Sequence, residues 1–382
     1  MRYAWRIATA ILVAGKLLVA GHAYPQTESA PAVSQSARDG GHDFDPLVGT
    51  WRFRLKRLDY RGSNTWGDLD GTGACYKLWD DRAQMDTVEL DGSQGHIEGL
   101  TLRLYNPQSH QWRLYWANSK VGILDPPQIG EFRDGHGDFY TQDRINNKVI
   151  FVRFDWTRLT SATPHFEQAF SEDGGTNWEV NWLTDQTRTG DTPVWDAAAS
   201  GHSAEPAAGS NQADSAATAD SAAKADPQHA FDFDFGAWKI HMRRRLHPLA
   251  GSNEWTELDG TTVTRKIWNG KANIATVDAS GPSGPLRLLS LRLYDPQAHQ
   301  WRIHFVTNDE GVLSVPAVGE FRNGRGEFFD QEPFQGRSIL VRFRIWQVSP
   351  NEISSDQAFS SDGGITWETN WVNTMTRINP ST

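Results

Sequence analysis

The chain has 382 residues, of which 22% are charged and 38% are hydrophobic, and its formal net charge is -10. Such a composition is typical of a soluble globular protein with about two to three domains. The acidic balance argues against nucleic-acid binding, which needs a basic face, and provides no attraction to anionic lipid.

Residues 1–23 have the pattern of a signal peptide. Arg2 precedes an apolar stretch that only Lys16 interrupts, and residues 21–23 (Gly-His-Ala) offer a small-x-small cleavage site. The alternative is a membrane anchor, but Lys16 shortens the apolar run below the roughly 20 residues that a span needs. We therefore expect a periplasmic or secreted bacterial protein with no stable membrane span after signal removal.

The main part of the chain is a tandem repeat. A shift of 189 positions matches residues 64–188 to residues 253–377 without a gap, and Leu69-Asp70-Gly71-Thr72 returns as Leu258-Asp259-Gly260-Thr261. This period is far longer than the ~20–50 residues of solenoids and propellers. A unit of about 145 residues is long enough to bury its own core, so the repeat predicts two domains.

These observations predict five segments in chain order. The segment between the repeats is rich in Ala, Ser, Asp and Gly and has no apolar stripe, so we expect disorder there rather than an Ala-rich helix. The expected segments are a signal peptide (1–23), a disordered segment (24–41), a first β-barrel domain (42–189), a disordered linker (190–228) and a second β-barrel domain (229–379).

Each repeat contains short alternating or aromatic runs separated by turn residues. Leu100-Thr101-Leu102-Arg103-Leu104 alternates with period two, and Asp134-Gly135 and Asn106-Pro107 are typical of turns. No sustained 3.6-residue apolar stripe is present. The pattern predicts an all-β protein with eight to ten antiparallel strands in each copy. A closed barrel is favoured over a sandwich because closure removes exposed strand edges.

A Gly-x-Trp motif begins each copy and an arginine lies near the end of each copy. In this respect the sequence resembles the lipocalin-type calycin barrels, in which a terminal arginine packs across the indole of the first strand. The resemblance implies a structural role in barrel closure for Gly49, Trp51 and Arg188 in the first copy and for Gly236, Trp238 and Arg377 in the second.

A second motif, Ser171 to Trp178, returns as Ser360 to Trp367. It resembles the Asp-box of sialidase-type propellers, a hairpin with an Asp-Gly-Gly turn and a packing tryptophan. Glycine supplies positive φ there, and the aspartate bonds to turn amides. One box in each copy is too few for propeller blades, so the motif indicates a hairpin and says little about activity.

The wider pattern resembles a bacterial exported family known as domain-of-unknown-function family 1579, which is lipocalin-like. The resemblance covers nearly all of both copies, including Leu291-Arg292-Leu293-Tyr294-Asp295-Pro296 and the block from Gln357 to Trp371. It carries no established activity. The copies differ, because the first has Tyr115-Trp116 where the second has His304-Phe305, so a shared site need not be intact in both.

Polar and aromatic residues within the predicted strands are the candidates for a ligand site. Arginine, glutamate and glutamine could bind an anionic or polar molecule between apolar aromatic walls. The alternative is that the polar members face outward and form structural salt links, because an inward arginine is costly unless it is paired. The candidates are Arg103, Tyr105, Tyr115, Trp116, Glu131, Arg153 and Gln168 in the first copy, and Arg292, Tyr294, His304, Glu320, Arg342 and Gln357 in the second.

The sequence gives no support for a catalytic residue, a metal site or a cofactor. The single cysteine, Cys75, cannot form an internal disulfide and has no evident activating base. The 12 histidines include no His-x-His or His-x-x-x-His pair that would suggest a metal site. We therefore expect that the protein is not an enzyme, although the sequence leaves this open.

Three functions remain open. The first hypothesis is an exported protein that binds a hydrophobic or anionic small molecule. The second is an envelope or interaction module with a protein or glycan partner, because two linked domains raise the effective concentration for a bivalent partner. The third is a glycan-directed enzyme, motivated by the Asp-box-like hairpins, with Glu131 or Glu320 as the candidate acid.

Overall fold

A computed structural model describes residues 39–79, 82–145, 147–195 and 226–378. They form two closed antiparallel barrels of ten strands each. In each barrel every strand pairs with its neighbour in sequence, and the last strand closes on the first. The all-β class, the tandem arrangement and the preference for a barrel over a sandwich are confirmed.

The strands of the two barrels correspond one to one. The first barrel comprises β1 (Gly49–Leu58), β2 (Trp66–Trp79), β3 (Ala83–Gly92), β4 (Ile97–Asn106), β5 (Gln111–Asn118), β6 (Gln128–Arg133), β7 (His136–Ile145), β8 (Lys148–Thr157), β9 (His165–Ser171) and β10 (Glu179–Gly190). The second comprises β11 (Gly236–Arg245), β12 (Trp255–Ile267), β13 (Ala272–Gly281), β14 (Gly284–Asp295), β15 (Gln300–Thr307), β16 (Ala317–Arg322), β17 (Arg325–Phe334), β18 (Arg337–Ser349), β19 (Glu352–Ser360) and β20 (Glu368–Arg377). Short 3₁₀ helices span Asp45–Leu47, Pro227–His229, Asp232–Asp234 and Trp268–Gly270.

One end of each barrel is closed by an aromatic plug. Phe44 enters the first barrel just before its 3₁₀ turn, is fully buried, and packs edge-on against Trp112 with ring centroids 5.2 Å apart. Phe231 does the same in the second barrel, against Trp301 at 4.8 Å. Edge-to-face pairs of this kind add stability beyond the apolar area that they bury.

A tryptophan–arginine pair caps the same end. The guanidinium carbon of Arg188 lies 4.2 Å from the ring centroid of Trp51, and that of Arg377 lies 3.9 Å from the centroid of Trp238. Arg188 also donates to the carbonyls of Pro46 and Val48. The pair therefore joins the last strand, the first strand and the entering segment of each barrel by cation–π contacts and hydrogen bonds.

A buried arginine lies beneath each plug. Arg103 is fully buried and forms a bidentate ion pair with Asp86, and Arg292 pairs with Asp234. The alternative expectation from the sequence was that the polar strand residues face outward, and for these two arginines that interpretation is wrong. The leucines that alternate with these arginines pack against the other barrel, so the arginines point into the interior of their own barrel. Each arginine pairs with an aspartate, which avoids the cost of a buried unpaired charge.

That other face packs against the neighbouring barrel. Leu100, Leu102 and Leu104 on the outer face of β4 are fully buried in one apolar cluster with the leucines of β14. The leucines of β14 in this cluster are Leu289, Leu291 and Leu293. The sequence of a strand that is buried on both faces is typically a nearly continuous run of apolar residues. The two barrels therefore share an apolar interface in addition to their own cores, and the chain from Asp39 onward forms one compact unit.

The loops between β5 and β6 and between β15 and β16 complete this interface reciprocally. Gly122 (φ +65°) lies against the carbonyl oxygen of Tyr294, and Gly311 (φ +62°) lies against that of Tyr105. Both tyrosines and both glycines are related by the 189-residue shift. The interface is thus isologous, as in a two-fold homodimer, although both halves belong to one chain.

Several predicted segments lie outside the described residues. They are the signal peptide, all but the last residues of the segment 24–41, and most of the linker between Trp195 and Asp226. Among the residues that the structure covers, no helix is long and apolar enough to cross a bilayer.

Candidate ligand-binding cavities

The first barrel contains a cavity of about 570 Å³ between its plugged end and its open end. Inward side chains of nearly every strand line it, and Phe154, Phe166, Trp116 and Trp182 form aromatic walls. This volume lies within the roughly 300–1,000 Å³ range of small-molecule sites. The cavity exists because the aromatic plug fills only the lower part of a ten-stranded barrel.

Three buried polar atoms on its wall have no partner in the described structure, and one of them is the Oε1 of Gln94. Gln128 is 3% exposed, and its Oε1 accepts no hydrogen bond. The Nε1 of Trp156 likewise donates to no acceptor, and its side chain is buried. A buried polar group without a partner costs about 1–3 kcal/mol. The cavity therefore offers two unused acceptors and one unused donor.

Acidic residues lie near the open end of this cavity. Burial and, to a smaller extent, the nearby charge of Asp143 raise the pKa of Asp125 to about 6. Arg57, Arg61 and Lys120 also line the cavity. Side chains of both signs of charge are therefore present on the wall of the first cavity.

The second barrel contains two adjoining cavities of about 440 and 330 Å³, which share Gln357 and Trp371 on their walls. The positions equivalent to Gln128 and Trp156 are Ala317 and Ile345, which carry no polar side chain. At these two positions the second barrel therefore has no polar group to match the unused acceptor and donor of the first, and the two interiors differ chemically.

The larger of these cavities carries three carboxylates and no cationic side chain. Asp330 and Glu332 are two residues apart on the inner face of β17, and Glu310 follows β15. Burial raises the pKa of Asp330 to about 7, with Glu332 adding to the effect. Burial also raises the pKa of Glu332, and Glu310 adds to it. One carboxylate oxygen of Asp330 is buried without a hydrogen-bond donor in the described residues.

An amide pair occupies the same place in both barrels but is bonded in only one. In the first barrel Gln168 Nε2 donates to Asn181 Oδ1 at 3.3 Å. In the second barrel Asn370 is 3% exposed, and its Oδ1 has no donor among the described residues. Asn370 lines the 330 Å³ cavity together with Gln357.

Two arginines also border this smaller cavity, and both are engaged elsewhere. Arg244 stacks on Trp371 at 4.9 Å. Arg245 donates to the carbonyls of Ser252 and Thr369. Neither is recorded as donating to Asn370, so the amide oxygen remains available to a ligand.

Three of the thirteen residues predicted for a ligand site line a cavity. They are Trp116 and Gln168 in the first barrel and Gln357 in the second. Arg103 and Arg292 face inward too, but they are engaged by Asp86 and Asp234 beneath the plug.

Four predicted aromatic or histidine residues lie elsewhere. Tyr105 and Tyr294 pack on Trp112 and Trp301 at the plugged ends. The Tyr115 hydroxyl accepts from the backbone amide of Leu313 in the other barrel at 3.2 Å. His304 is the equivalent of Tyr115 in the second barrel. Its Nδ1 lies 3.3 Å from the carbonyl of Ser314, and burial lowers its pKa to about 4.

The remaining four predicted residues face outward. Glu131 and Glu320 form ion pairs with Arg133 and Arg322 at the surface. Neither glutamate lines one of the cavities described above, so neither is placed to act as an acid on a ligand there. The other two, Arg153 and Arg342, lie over the hairpin tryptophans, with guanidinium carbons 5.0 and 4.7 Å from the rings of Trp178 and Trp367.

The Asp-box-like hairpins are held by local hydrogen bonds. Asp173 accepts from the backbone amide of Asn177 at 2.9 Å, which lowers its pKa to about 2. Asp362 accepts from the hydroxyl and amide of Thr366, with the same consequence for its pKa. These bonds stabilise a turn, and no residue of either hairpin lines one of the cavities described above.

One group of possible metal ligands lies on the outer surface, where His136 Nε2 is 2.9 Å from Asp155 and 3.5 Å from Asp138. The equivalent residues of the second barrel are Arg325, Arg344 and Glu327. Because arginine replaces possible ligands there, we interpret the group as a surface ion-pair ladder. Cys75 is buried, and burial raises the pKa of its thiol, so it is not an activated nucleophile.

Most of the charged and unpartnered polar residues that line the cavities were not among the residues predicted from the sequence. A signal was available in β17, where Phe328, Asp330 and Glu332 alternate with period two, so that the acids share a face with a core phenylalanine. The missed residues are Asp125, Gln128, Asp143 and Trp156 in the first barrel, and Glu310, Asp330, Glu332 and Asn370 in the second.

No family model and no curated protein matches this chain. Among solved structures, an S-type phycobiliprotein lyase from Guillardia theta matches with 12% identity over 40% of this chain and 92% of that chain, at a TM-score of 0.29. A redesigned β-barrel bound to DFHBI matches with 12% identity over 39% of this chain and 99% of that chain, at a TM-score of 0.23. A protein of unknown function from the DUF3598 family of Nostoc punctiforme matches with 12% identity over 89% of this chain and 100% of that chain, also at a TM-score of 0.23. These scores are too low to carry an argument, and the fold assignment rests on the strand pairing itself.

Proposed function

We propose that the protein binds a small organic molecule in the cavity of the first barrel. The observation that carries this proposal is the buried, unbonded Oε1 of Gln128 on the wall of a 570 Å³ cavity. A folded protein gains stability by replacing such a group with an apolar one, so its presence is explained if a ligand satisfies it.

The lining restricts the chemistry of this ligand. The Oε1 of Gln128 needs a hydrogen-bond donor from the ligand, and the Nε1 of Trp156 needs an acceptor from it. The aromatic walls of Trp116, Trp182 and Phe154 favour a flat apolar body. A mixed donor–acceptor molecule with an aromatic or alicyclic body satisfies these demands. Arg103 is already paired, so it provides no site for an anion.

The test is native mass spectrometry of the full chain purified from its host, followed by calorimetric titration with the compound that co-purifies. Gln128→Leu should weaken binding about tenfold, because one buried hydrogen bond is lost. The same variant should be more stable than the wild type without ligand. Glu131→Gln, on the outer face of the same strand, is the matched control. Equal affinity in Gln128→Leu and wild type would refute the proposal.

We also propose that the protein is exported and that each copy belongs to domain-of-unknown-function family 1579. Export is supported by the signal-like residues 1–23. N-terminal sequencing of the mature protein from a fractionated host tests export. A chain that begins at Met1 in the cytoplasmic fraction would contradict it.

A further inference from the structure

The second barrel holds negative charge that nothing in the described residues neutralises. Glu310, Asp330 and Glu332 line one cavity, and none of them forms an ion pair there. The remaining walls are apolar, for example Phe305 and Phe343. Asp330 and Glu332 are partly buried beside these apolar walls, so they lose hydration without gaining a partner, which is costly unless a cation is supplied.

A second, independent feature indicates that the ligand carries hydrogen-bond donors. Asn370 is 3% exposed on the adjoining cavity, and its Oδ1 has no donor in the described structure. The equivalent Asn181 in the first barrel is satisfied by Gln168 within the protein. The unpartnered buried atoms that line these two cavities are thus both acceptors, Asp330 Oδ1 in one cavity and Asn370 Oδ1 in the other.

The apolar lining defines the rest of the ligand. Ile240, Met242, Val277 and Val341 face the 440 Å³ cavity with the two phenylalanines. A protonated amine alone would leave this surface in contact with water, whereas an attached hydrocarbon body would cover it.

We propose that the second barrel binds a hydrophobic organic cation, a protonated amine with an apolar body, whose ammonium group pairs with Asp330 and Glu332. This inference rests on the proposed ligand-binding function of the barrels, and it assigns the second barrel a ligand class different from that of the first. The three carboxylates supply acceptors for the ammonium protons, and such charge-assisted bonds are stronger than neutral ones.

The test compares three probes that share one chain and differ in head group: n-octylammonium, n-octanol and n-octyl sulfate. Each is titrated into the full chain at pH 8, above the pKa of about 7 of Asp330. Octylammonium should bind about tenfold more tightly than octanol, and octyl sulfate more weakly than either. The double variant Asp330→Asn/Glu332→Gln should lose the preference for octylammonium and keep its affinity for octanol.

Glu320→Gln is the matched control, because Glu320 is an acid of the same barrel that faces outward and pairs with Arg322. Its titrations should equal those of the wild type. Equal affinities for octylammonium and octanol in the wild type would overturn the cation assignment while leaving a ligand-binding barrel. Binding of none of the probes would overturn it as well. The proposed function of the first barrel is tested separately by the Gln128→Leu titration.

Discussion

Gly122 in the first barrel lies directly against the backbone carbonyl of Tyr294 in the second, and its φ is +65°. An added Cβ would both strain the backbone and collide with that carbonyl. The matching contact of Gly311 with Tyr105 repeats this at the other side of the interface. Two glycines that the 189-residue shift relates therefore set how closely the barrels approach.

Gly122→Ala should destabilise the protein by about 1–2 kcal/mol from the left-handed backbone and by a further ~1–3 kcal/mol from the collision. Gly135→Ala is the control, because Gly135 also has positive φ (+80°) but has no atom near its missing Cβ. It should show the backbone cost alone. Urea unfolding measures both, and equal losses in the two variants would contradict a packing role for Gly122.

The barrels should remain associated when the chain between them is cut. A protease site placed between residues 196 and 225 leaves the leucine cluster of β4 and β14 intact, so the cleaved halves should elute together on size exclusion. Leu102→Asp places a charge in that cluster and should make the cleaved halves separate. Asp substituted at the exposed Val149 is the control. Separation of the cleaved wild-type halves would contradict the interface.

The two buried arginines occupy equivalent positions but pair with aspartates at non-equivalent positions. Arg103 pairs with Asp86 on β3, whereas Arg292 pairs with Asp234 before β11. The position of Asp86 is occupied by Ala275 in the second copy. Asp234→Leu should therefore destabilise the second barrel by about 3–5 kcal/mol, because it leaves a buried charge unpaired.

Adding Ala275→Asp to that variant should restore most of the loss, because it rebuilds the ion pair of the first barrel at the equivalent position. Urea unfolding of the single and double variants gives the coupling energy. Destabilisation that is simply additive would show that the aspartate at position 275 does not reach Arg292.

The stability of the second barrel should depend on pH through Asp330. Its pKa is raised from the ordinary 3.8 to about 7, so the folded state binds a proton that the unfolded state has lost. The unfolding free energy therefore falls as pH rises from about 4 to about 7, and the loss is complete above pH 7. Asp330→Asn should remove this slope and be more stable than wild type at pH 8 by about 1–2 kcal/mol, allowing for solvent screening. A difference between the two proteins that stays constant from pH 4 to pH 8 would contradict this.

The sequence predicted the class of fold well, because turn residues and period-two runs are local signals. It did not predict which face of β4 points inward. The alternation of Leu102 and Arg103 suggests that leucine faces the core, but leucine faces the other barrel and arginine the interior. A strand buried on both sides carries no local mark of which side is which.

The cavity residues were harder to predict for a related reason. Whether Gln128 lines a cavity depends on how far the plug of Phe44 fills the barrel, and this is set by side chains distant in sequence. Gln168 was found because it returns as Gln357 in the second copy, and Trp116 was found because it lies in an aromatic pair of a predicted strand. Asp330 and Asn370 were missed because their importance lies in the absence of a partner, which only three-dimensional packing reveals.

The reciprocal interface has a consequence for how the two interiors diverged. A homodimer must carry every cavity substitution twice, whereas a fused pair can alter one half and leave the other unchanged. Gln128 and Ala317 occupy equivalent positions, yet only Gln128 places a polar side chain at that position. Covalent linkage also holds unlike halves together at any dilution and at fixed one-to-one stoichiometry. The duplication thus turns a symmetric scaffold into an obligate hetero-pair whose two chambers evolve separately.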